Sequence, residues 1–304
     1  MNYELKDKWL NIDINSIVCE TIQDFFDTYI PSKKVQHELI QNKWILLDGN
    51  PVKRESDIVG LYLQVLLYNN EEPVTVCKEK VNMVYEDEIL CIVNKPKDLL
   101  VHSDGNGELT LTEMVRSYYK DEPYLNIQPV HRLDKDTSGL VLFSKSFVFQ
   151  PILDKLLSEK VIRRSYLAMC FNSDEKNKTY TIDKPIGKDR HDNHRMVISK
   201  NGLSALTKVK CLGNYKNYSF FRCNLNTGRT HQIRVHLNSI NHPIVNDNIY
   251  GHTDKIINIM GLVADEMVMY HPLREENMDI DIDVPYSIGE LLNKITWQKK
   301  FKAL

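Results

Sequence analysis

The stretch that decides the fold is His131-Arg132-Leu133-Asp134-Lys135-Asp136-Thr137-Ser138-Gly139-Leu140. It joins a loop of charged and turn-forming residues to an apolar run over residues 139–144, which predicts a buried strand. Functional side chains often lie on loops at strand ends, because a rigid strand holds such a loop in place. Asp134 is therefore a candidate catalytic carboxylate. From these residues alone, an ordinary solvated turn is an equally good interpretation.

A second polar stretch follows about a hundred residues later: Asn226-Thr227-Gly228-Arg229-Thr230-His231-Gln232-Ile233-Arg234-Val235-His236-Leu237. Gly228 permits a sharp turn, and Thr230 is a candidate N-cap for a helix over residues 230–238. Arg234 on this helix is well placed to reach a carboxylate. A buried, bidentate pair of that kind keeps the acid ionised. The alternative is an exposed basic helix face.

The rest of the chain divides into two segments on either side of a polar, proline-containing stretch at residues 69–73. We predict a small module over residues 12–74 and a larger domain over residues 82–298. The strands do not alternate regularly with helices, which predicts a mixed α+β fold rather than a doubly wound one. The patterns predict helices at 21–29, 33–41, 147–159 and 230–238, and strands at 44–47, 61–67, 90–93, 139–144, 165–170, 209–212 and 220–225.

Composition excludes several other classes of protein. The 304 residues are 42% hydrophobic and 26% charged, which is ordinary for a globular protein. We see no secretory signal and no apolar run long enough to span a membrane, so we expect a cytoplasmic protein. The six cysteines form no Cys-x-x-Cys pair and the histidines have no zinc-site spacing, so we expect no disulfide framework and no metal. The net charge of −2 counts mildly against nucleic-acid binding, although the basic residues are clustered.

The two polar stretches together resemble the RluA-type pseudouridine synthases. Residues 131–139 match the family motif His-Arg-Leu-Asp-x-x-Thr-Ser-Gly, and residues 227–236 match Thr-Gly-Arg-Thr-His-Gln-hydrophobic-Arg-Val-His. Weaker similarities bring the region of resemblance to about residues 82–295. The resemblance implies a largely antiparallel central sheet with flanking helices and loops. It also implies that the protein isomerises uridine in RNA without a cofactor or metal.

The resemblance also implies roles for individual residues. Asp134 is similar to the catalytic aspartate, Arg234 to its partner, and Tyr166 to the tyrosine that stacks on the uracil. Ile233 would line the opposite side of the pocket, and Arg132 would fill the space that the flipped nucleotide leaves. The neighbouring motif residues His131, Arg229, Asn94 and Lys95 are expected to bind substrate.

Residues 20–65 resemble the small αL RNA-binding module of a ribosomal protein, which several RluA-type synthases carry in front. Residues 13–60 have a net charge of −3, whereas an RNA-binding face is usually basic. We nevertheless expect Lys33 and Lys34 of this module to bind RNA weakly. In the larger domain the candidate phosphate-binding residues are Arg163, Arg164, Lys188 and Arg190.

Ribosomal RNA is the expected substrate and partner, transfer RNA is the alternative, and the enzyme is expected to be a monomer. A catalytically silent RNA-binding or ribosome-assembly protein is the main rival from another class. A hydrolase that uses Asp134 with His131 ranks last, because no serine or cysteine nucleophile motif accompanies them.

Overall fold

The front of the chain folds into a five-stranded antiparallel sheet with two helices, in a computed structural model that describes residues 1–70, 73–105, 107–122 and 124–295. The strands, numbered along the chain, are β1 (Tyr3–Lys6), β2 (Trp9–Asp13), β3 (Ile45–Leu47), β4 (Asn50–Pro51) and β5 (Tyr62–Leu66). They pair in the order β1-β2-β5-β3-β4.

Two short helices cover this front sheet, α1 (Ile22–Tyr29) and α2 (Lys33–Gln41). Thr21 caps α1 in a reciprocal capping box with Asp24, and the Ser32 side chain caps α2. Such caps satisfy backbone N–H groups that have no partner within the helix. Both helices, and the strands that follow them, confirm the predicted order of elements in the front module.

The hairpin of β1 and β2 was not predicted. Strand β2 pairs with β5 over Trp9–Leu66 to Asp13–Tyr62, so the front sheet begins ahead of the boundary set at Ile12. The connecting turn is Asp7, in the left-handed region at φ 54°, and it contains no glycine. This turn lacks the Asn-Gly or Asp-Gly pair that usually marks a tight hairpin, so no residue pattern predicted it.

The second sheet has ten strands within the described ranges. They are β6 (Met83–Glu86), β7 (Leu90–Lys95), β8 (Gln128–Pro129), β9 (Ser138–Ser144), β10 (Arg163–Phe171), β11 (Thr179–Asp183), β14 (Leu206–Tyr215), β15 (Tyr218–Leu225), β16 (Leu262–His271) and β17 (Glu276–Asp281). The main path is β11-β14-β15-β10-β16-β9-β7-β6, with β17 on β16 and β8 on β9. Every pairing described in it is antiparallel except β16 with β9. The predicted α+β class with a largely antiparallel sheet is confirmed.

A glycine at the parallel contact allows two central strands to approach closely. Gly139 lies at φ 119°, and a Cβ added to it would lie 2.2 Å from the backbone oxygen of Ala264. Only glycine fits both the backbone conformation and the space. Because Gly139 directly follows the loop that carries Asp134, this contact fixes where that loop enters the sheet.

Four further helices and a small hairpin flank the second sheet. The helices are α3 (Leu111–Tyr118), α4 (Gln150–Ser158), α5 (Gln232–Asn238) and α6 (Tyr286–Leu292). The hairpin consists of β12 (Ile186–Lys188) and β13 (Met196–Ile198). The helices predicted at 147–159 and 230–238 are present but begin later, at Gln150 and Gln232.

The front module is packed directly against the larger domain. One hydrophobic cluster contains residues of both, including Phe26 of the module and Leu140 of β9. Polar contacts add to it: the Met1 ammonium and the Tyr29 hydroxyl bind the two carboxylate oxygens of Glu275, at 3.1 and 2.7 Å. Removing the module would therefore expose apolar surface of the larger domain.

Parts of the predicted domain limits lie outside the described residues, namely Glu71 and Glu72 in the proposed linker and residues 296–298 at the end of the domain. The division at residues 74 and 82 remains a proposal. In the described part of the chain, none of the helices has the length and apolar character needed to cross a membrane.

Candidate active site

Three separate segments of the chain, together with Leu262 of β16, surround an open cavity of about 650 Å³. Residues 130–134 and Thr137 come from the loop before β9, the second segment runs from α4 into β10, and residues 225–234 join β15 to α5. A cavity of this size is within the usual range for binding a small molecule or a single nucleotide. Both polar sequence motifs therefore meet at the same place.

Arg234 connects two carboxylates at the base of this cavity. Its Nη1 donates a hydrogen bond to Asp134 Oδ2 at 3.2 Å, as the sequence predicted. Its Nε and Nη2 donate to the two oxygens of Asp247, both at 2.8 Å. The predicted bidentate partner was Asp134, and this is corrected: the bidentate pair is formed with Asp247, and Asp134 receives one hydrogen bond.

The Arg234–Asp247 pair is buried and permanently charged. The Asp247 side chain has no exposed surface and that of Arg234 is 2% exposed. Burial alone would raise the pKa of Asp247, but the hydrogen bonds and charge of Arg234 outweigh it and hold that pKa below its usual value. Burial would also lower the pKa of Arg234, but the two carboxylates raise it. Such a pair holds the guanidinium in one orientation.

The imidazole of His231 also faces Oδ2 of Asp134. His231 Nε2 lies 3.9 Å from Asp134 Oδ2, and His231 Nδ1 lies 3.0 Å from the hydroxyl of Tyr250. Burial lowers the pKa of His231, although the charge of Asp134 acts in the opposite direction. The imidazole is therefore neutral near pH 7.

Two predicted residues line the cavity with apolar or aromatic surface. Tyr166 is buried in β10, beside a bulge in the pairing with β16, and burial raises its pKa so that the phenol stays neutral. Ile233, on α5, is buried and also lines the cavity. These side chains, together with Asp134 and Arg234, are brought into one cavity from three separate segments.

Other polar residues of the second motif hold the scaffold. Gln232 is buried; its Oε1 accepts hydrogen bonds from the Thr227 hydroxyl and Arg229 N–H, and its Nε2 donates to Leu206 O and Thr207 Oγ1. The turn at 227–229 is thereby fixed to β14. Gly228 itself is not in the left-handed region. The turn predicted there therefore does not depend on a conformation that only glycine favours.

The start of α5 differs from the prediction. The N-cap is His231 rather than Thr230, and no side-chain hydrogen bond caps the helix. His231 has φ 56° and ψ 20°, a left-handed conformation that is uncommon for a residue other than glycine. Thr230 is exposed.

Lys95 and His131 both form hydrogen bonds with backbone groups. Lys95 is fully buried, and its Nζ donates to the carbonyl oxygens of Pro96, Leu99 and Lys135 at 2.7–3.0 Å. All three donors are used by backbone carbonyls, which favours a role in holding the loop that carries Asp134; the substrate-binding role of Lys95 stays a prediction.

His131 lines the cavity, but its Nε2 accepts the backbone N–H of Leu142 at 3.2 Å. Burial lowers its pKa well below the usual value, so the ring is neutral and its proton is on Nδ1. Asn94, at the end of β7, is not among the residues that line the cavity.

The predicted RNA-binding residues lie in three places. Arg163 and Arg164 line the cavity, as do the predicted substrate-binding residues Arg132 and Arg229. Lys188 and Arg190 lie on the exposed hairpin of β12 and β13. Lys33 and Lys34 lie at the start of α2 in the front module, in exposed ion pairs with Glu55 and Glu38.

Asp247 and Tyr250 were missed by the sequence analysis. One signal could have found Asp247: a buried arginine has five N–H donors, which a single carboxylate cannot satisfy. No comparable signal existed for Tyr250. Among the described residues, no group of three or more His, Cys, Asp or Glu is arranged to hold a metal ion.

Comparison with known proteins agrees with the geometry. Residues 89–239 match the family described as RNA pseudouridylate synthase. The chain is 33% identical over 264 residues to the uncharacterized RNA pseudouridine synthase YhcT of Bacillus subtilis, which covers 85% of this chain and 83% of the relative. It is 31% identical over 262 residues to the ribosomal large subunit pseudouridine synthase D of Haemophilus influenzae, covering 80% of each.

A solved structure has the same fold. The human RNA pseudouridylate synthase domain containing 1 superimposes with a TM-score of 0.58 at 24% identity, over 70% of this chain and 86% of that one.

Proposed function

Because this chain belongs to the RNA pseudouridylate synthase family, and is thus an RNA-modifying isomerase, we propose that it converts specific uridines of large-subunit ribosomal RNA to pseudouridine with Asp134 as the essential carboxylate. The observation that carries the proposal is the meeting of Asp134, Tyr166 and Arg234 in one cavity. Ribosomal RNA is favoured over transfer RNA because several relatives are named ribosomal large subunit pseudouridine synthase D.

The target uridine has to leave its stack before its glycosidic bond can be reached, at a cost of roughly a few kcal/mol. Stacking of the uracil on Tyr166 would return about 1–3 kcal/mol. Arg132 is exposed beside the cavity and is positioned to occupy the vacated space. The partly exposed Asp134 side chain then faces the flipped nucleotide.

Asp134 acts on the sugar or the base as a nucleophile or as a proton acceptor. In either case its negative charge is lost, because the carboxylate becomes an ester or an acid. The uracil then detaches, turns and rejoins through C5, and the C5 proton leaves. When Asp134 loses its negative charge, Asp247 remains as the counterion of Arg234, at 2.8 Å. The buried Arg234 guanidinium is therefore not left without a counterion during the reaction.

We further propose that the enzyme acts as a monomer in the cytoplasm. One chain supplies every residue assigned to the reaction, and the relatives named as ribosomal enzymes are bacterial. A sedimentation measurement would reveal a larger assembly.

The test is tritium release from RNA labelled at C5 of uridine and prepared from cells that lack this protein. Wild type should release tritium and Asp134→Asn should not, while both bind RNA. Asp136→Asn, in the same loop but outside the cavity lining, is the matched control and should resemble wild type.

Separate incubations with ribosomal RNA, assembling ribosomal particles and transfer RNA identify the substrate. Release by Asp134→Asn at the wild-type rate would overturn the assignment of the carboxylate. Binding of all these RNAs with release from none would favour a silent RNA-binding protein. Release from transfer RNA alone would favour the alternative substrate.

A further inference from the structure

The backbone of His231 is held in an unfavourable conformation directly beside the candidate carboxylate. A left-handed conformation at a residue other than glycine costs roughly 1–3 kcal/mol and persists only when its surroundings enforce it. His231 gains no helix-capping hydrogen bond in return. This conformation places the imidazole at the wall of the cavity, where Nε2 faces Asp134.

Tyr250 supports the imidazole from behind. Its hydroxyl lies 3.0 Å from His231 Nδ1, and its ring meets the imidazole edge-on with centroids 5.7 Å apart. The same hydroxyl accepts the backbone N–H of Met196 at 2.7 Å, which fixes the position of its oxygen. Tyr250 is not among the cavity-lining residues, so it has no direct access to a substrate there.

The hydrogen-bond directions favour one arrangement of protons. The Tyr250 oxygen already accepts from Met196, and its own proton can be donated to Nδ1 of His231. A neutral imidazole that accepts at Nδ1 carries its proton on Nε2. That N–H faces the negatively charged Asp134, which is the favourable orientation.

From this geometry we infer that His231 is a positioning residue for Asp134, held in place by the hydroxyl of Tyr250. The inference rests on the proposed function and names further residues of that same site. Arg234 and His231 both approach Oδ2 of Asp134, and no side chain of the described residues donates a hydrogen bond to Oδ1. Oδ1 is accordingly the oxygen that is free to act on the nucleotide.

Two substitutions of His231 distinguish the effect of its side chain from the effect of its backbone conformation. Asn is favoured in the left-handed region, so His231→Asn keeps the backbone while losing the Nε2 group. In His231→Gln the amide nitrogen takes approximately the place of Nε2. We expect His231→Asn to lower kcat by about 10-fold, because Asp134 loses a polar N–H that faces it at 3.9 Å, a weaker contact than a direct hydrogen bond. His231→Gln should recover most of that loss.

Tyr250→Phe tests the support without touching the cavity. It removes the hydrogen bonds to His231 and from Met196, of which only the first supports the imidazole, so kcat should fall by about 10-fold while KM for RNA stays unchanged. Tyr218→Phe is the matched control, since it removes a hydroxyl that donates to Asp254 at 2.7 Å away from the cavity. It should have wild-type kcat and KM.

Each result has a definite meaning, provided that melting temperatures are recorded for all variants. Wild-type kcat in both His231→Asn and Tyr250→Phe would overturn the positioning role while leaving the proposed function intact. Equal losses of kcat in the Asn and Gln variants, with lowered melting temperatures, would make His231 merely structural. The proposed isomerase activity itself fails if wild type releases no tritium from any RNA tested.

Discussion

Asp247 holds the guanidinium of Arg234 through two hydrogen bonds of 2.8 Å, whereas the reacting carboxylate receives only one. The arginine is therefore oriented before any substrate binds. Asp134 is left with part of its side chain exposed to the cavity, 21% against none for Asp247. One acid is thus the structural counterion, and the other is available for chemistry.

Asp247→Asn should destabilise the fold by about 3 kcal/mol or more, because it removes one partner of a buried ion pair. Turnover should also fall, since Arg234 loses its orientation. Urea denaturation and tritium release measure the two effects. Asp121→Asn, at an exposed position, is the control and should unfold at the wild-type midpoint. An unchanged midpoint in Asp247→Asn would contradict the buried pair.

The same pair predicts how stability depends on pH. The pKa of Asp247 is lowered in the folded protein, so its stabilising contribution is complete above the unfolded-state value of about 3.9. That contribution is lost as the pH falls through the lower, folded-state pKa. The stability difference between wild type and Asp247→Asn should therefore be constant near neutrality and shrink below about pH 4. A difference that instead grows on acidification would contradict this sign.

Lys95→Met should lower turnover without weakening RNA binding. Methionine fills the space of the side chain but leaves the carbonyl oxygens of Pro96 and Leu99 without a donor, and that of Lys135 with only the Leu99 N–H at 3.3 Å; the loss costs about 1–3 kcal/mol. One of those oxygens belongs to Lys135, next to Asp134. Lys97→Met, at a partly exposed position, is the control. Loss of RNA affinity with an unchanged melting temperature would support the predicted substrate-binding role of Lys95.

Gly139→Ala should prevent stable folding or destabilise it severely, because its Cβ would collide with the backbone of Ala264. Gly228→Ala provides the comparison, since the nearest atom to its Cβ would be Arg164 Nη2 at 3.8 Å. We expect the melting temperature of Gly228→Ala to match that of wild type. A well-folded Gly139→Ala protein would show that β9 and β16 can separate at little cost.

Arg132→Ala should slow the single-turnover reaction by about 10- to 100-fold, because flipping the base costs a few kcal/mol that the guanidinium would partly offset. Arg163→Ala should instead weaken RNA binding and lower its salt dependence by about one phosphate contact. Filter binding at several salt concentrations separates the two effects. If Arg132→Ala only weakens binding, then Arg132 is a phosphate contact.

The two polar motifs predicted the cavity because each one combines a turn with a buried element. Asp134 precedes a strand and Arg234 lies on a helix, so periodicity locates both. Asp247 lies on an irregular segment 13 residues beyond Arg234, where no periodic pattern exists to be read. The left-handed backbone of His231 was also missed, because histidine adopts this conformation too rarely for the residue type alone to predict it.

The front module and the cavity belong to one continuously packed body, joined by a shared core and by the contacts of Glu275 with Met1 and Tyr29. The distance between them is consequently set by the protein rather than by the RNA. Any RNA that touches both surfaces must present its target uridine at that one spacing. For an RNA of that kind, inserting or deleting a single base pair between the two contacts would displace the target uridine from the cavity.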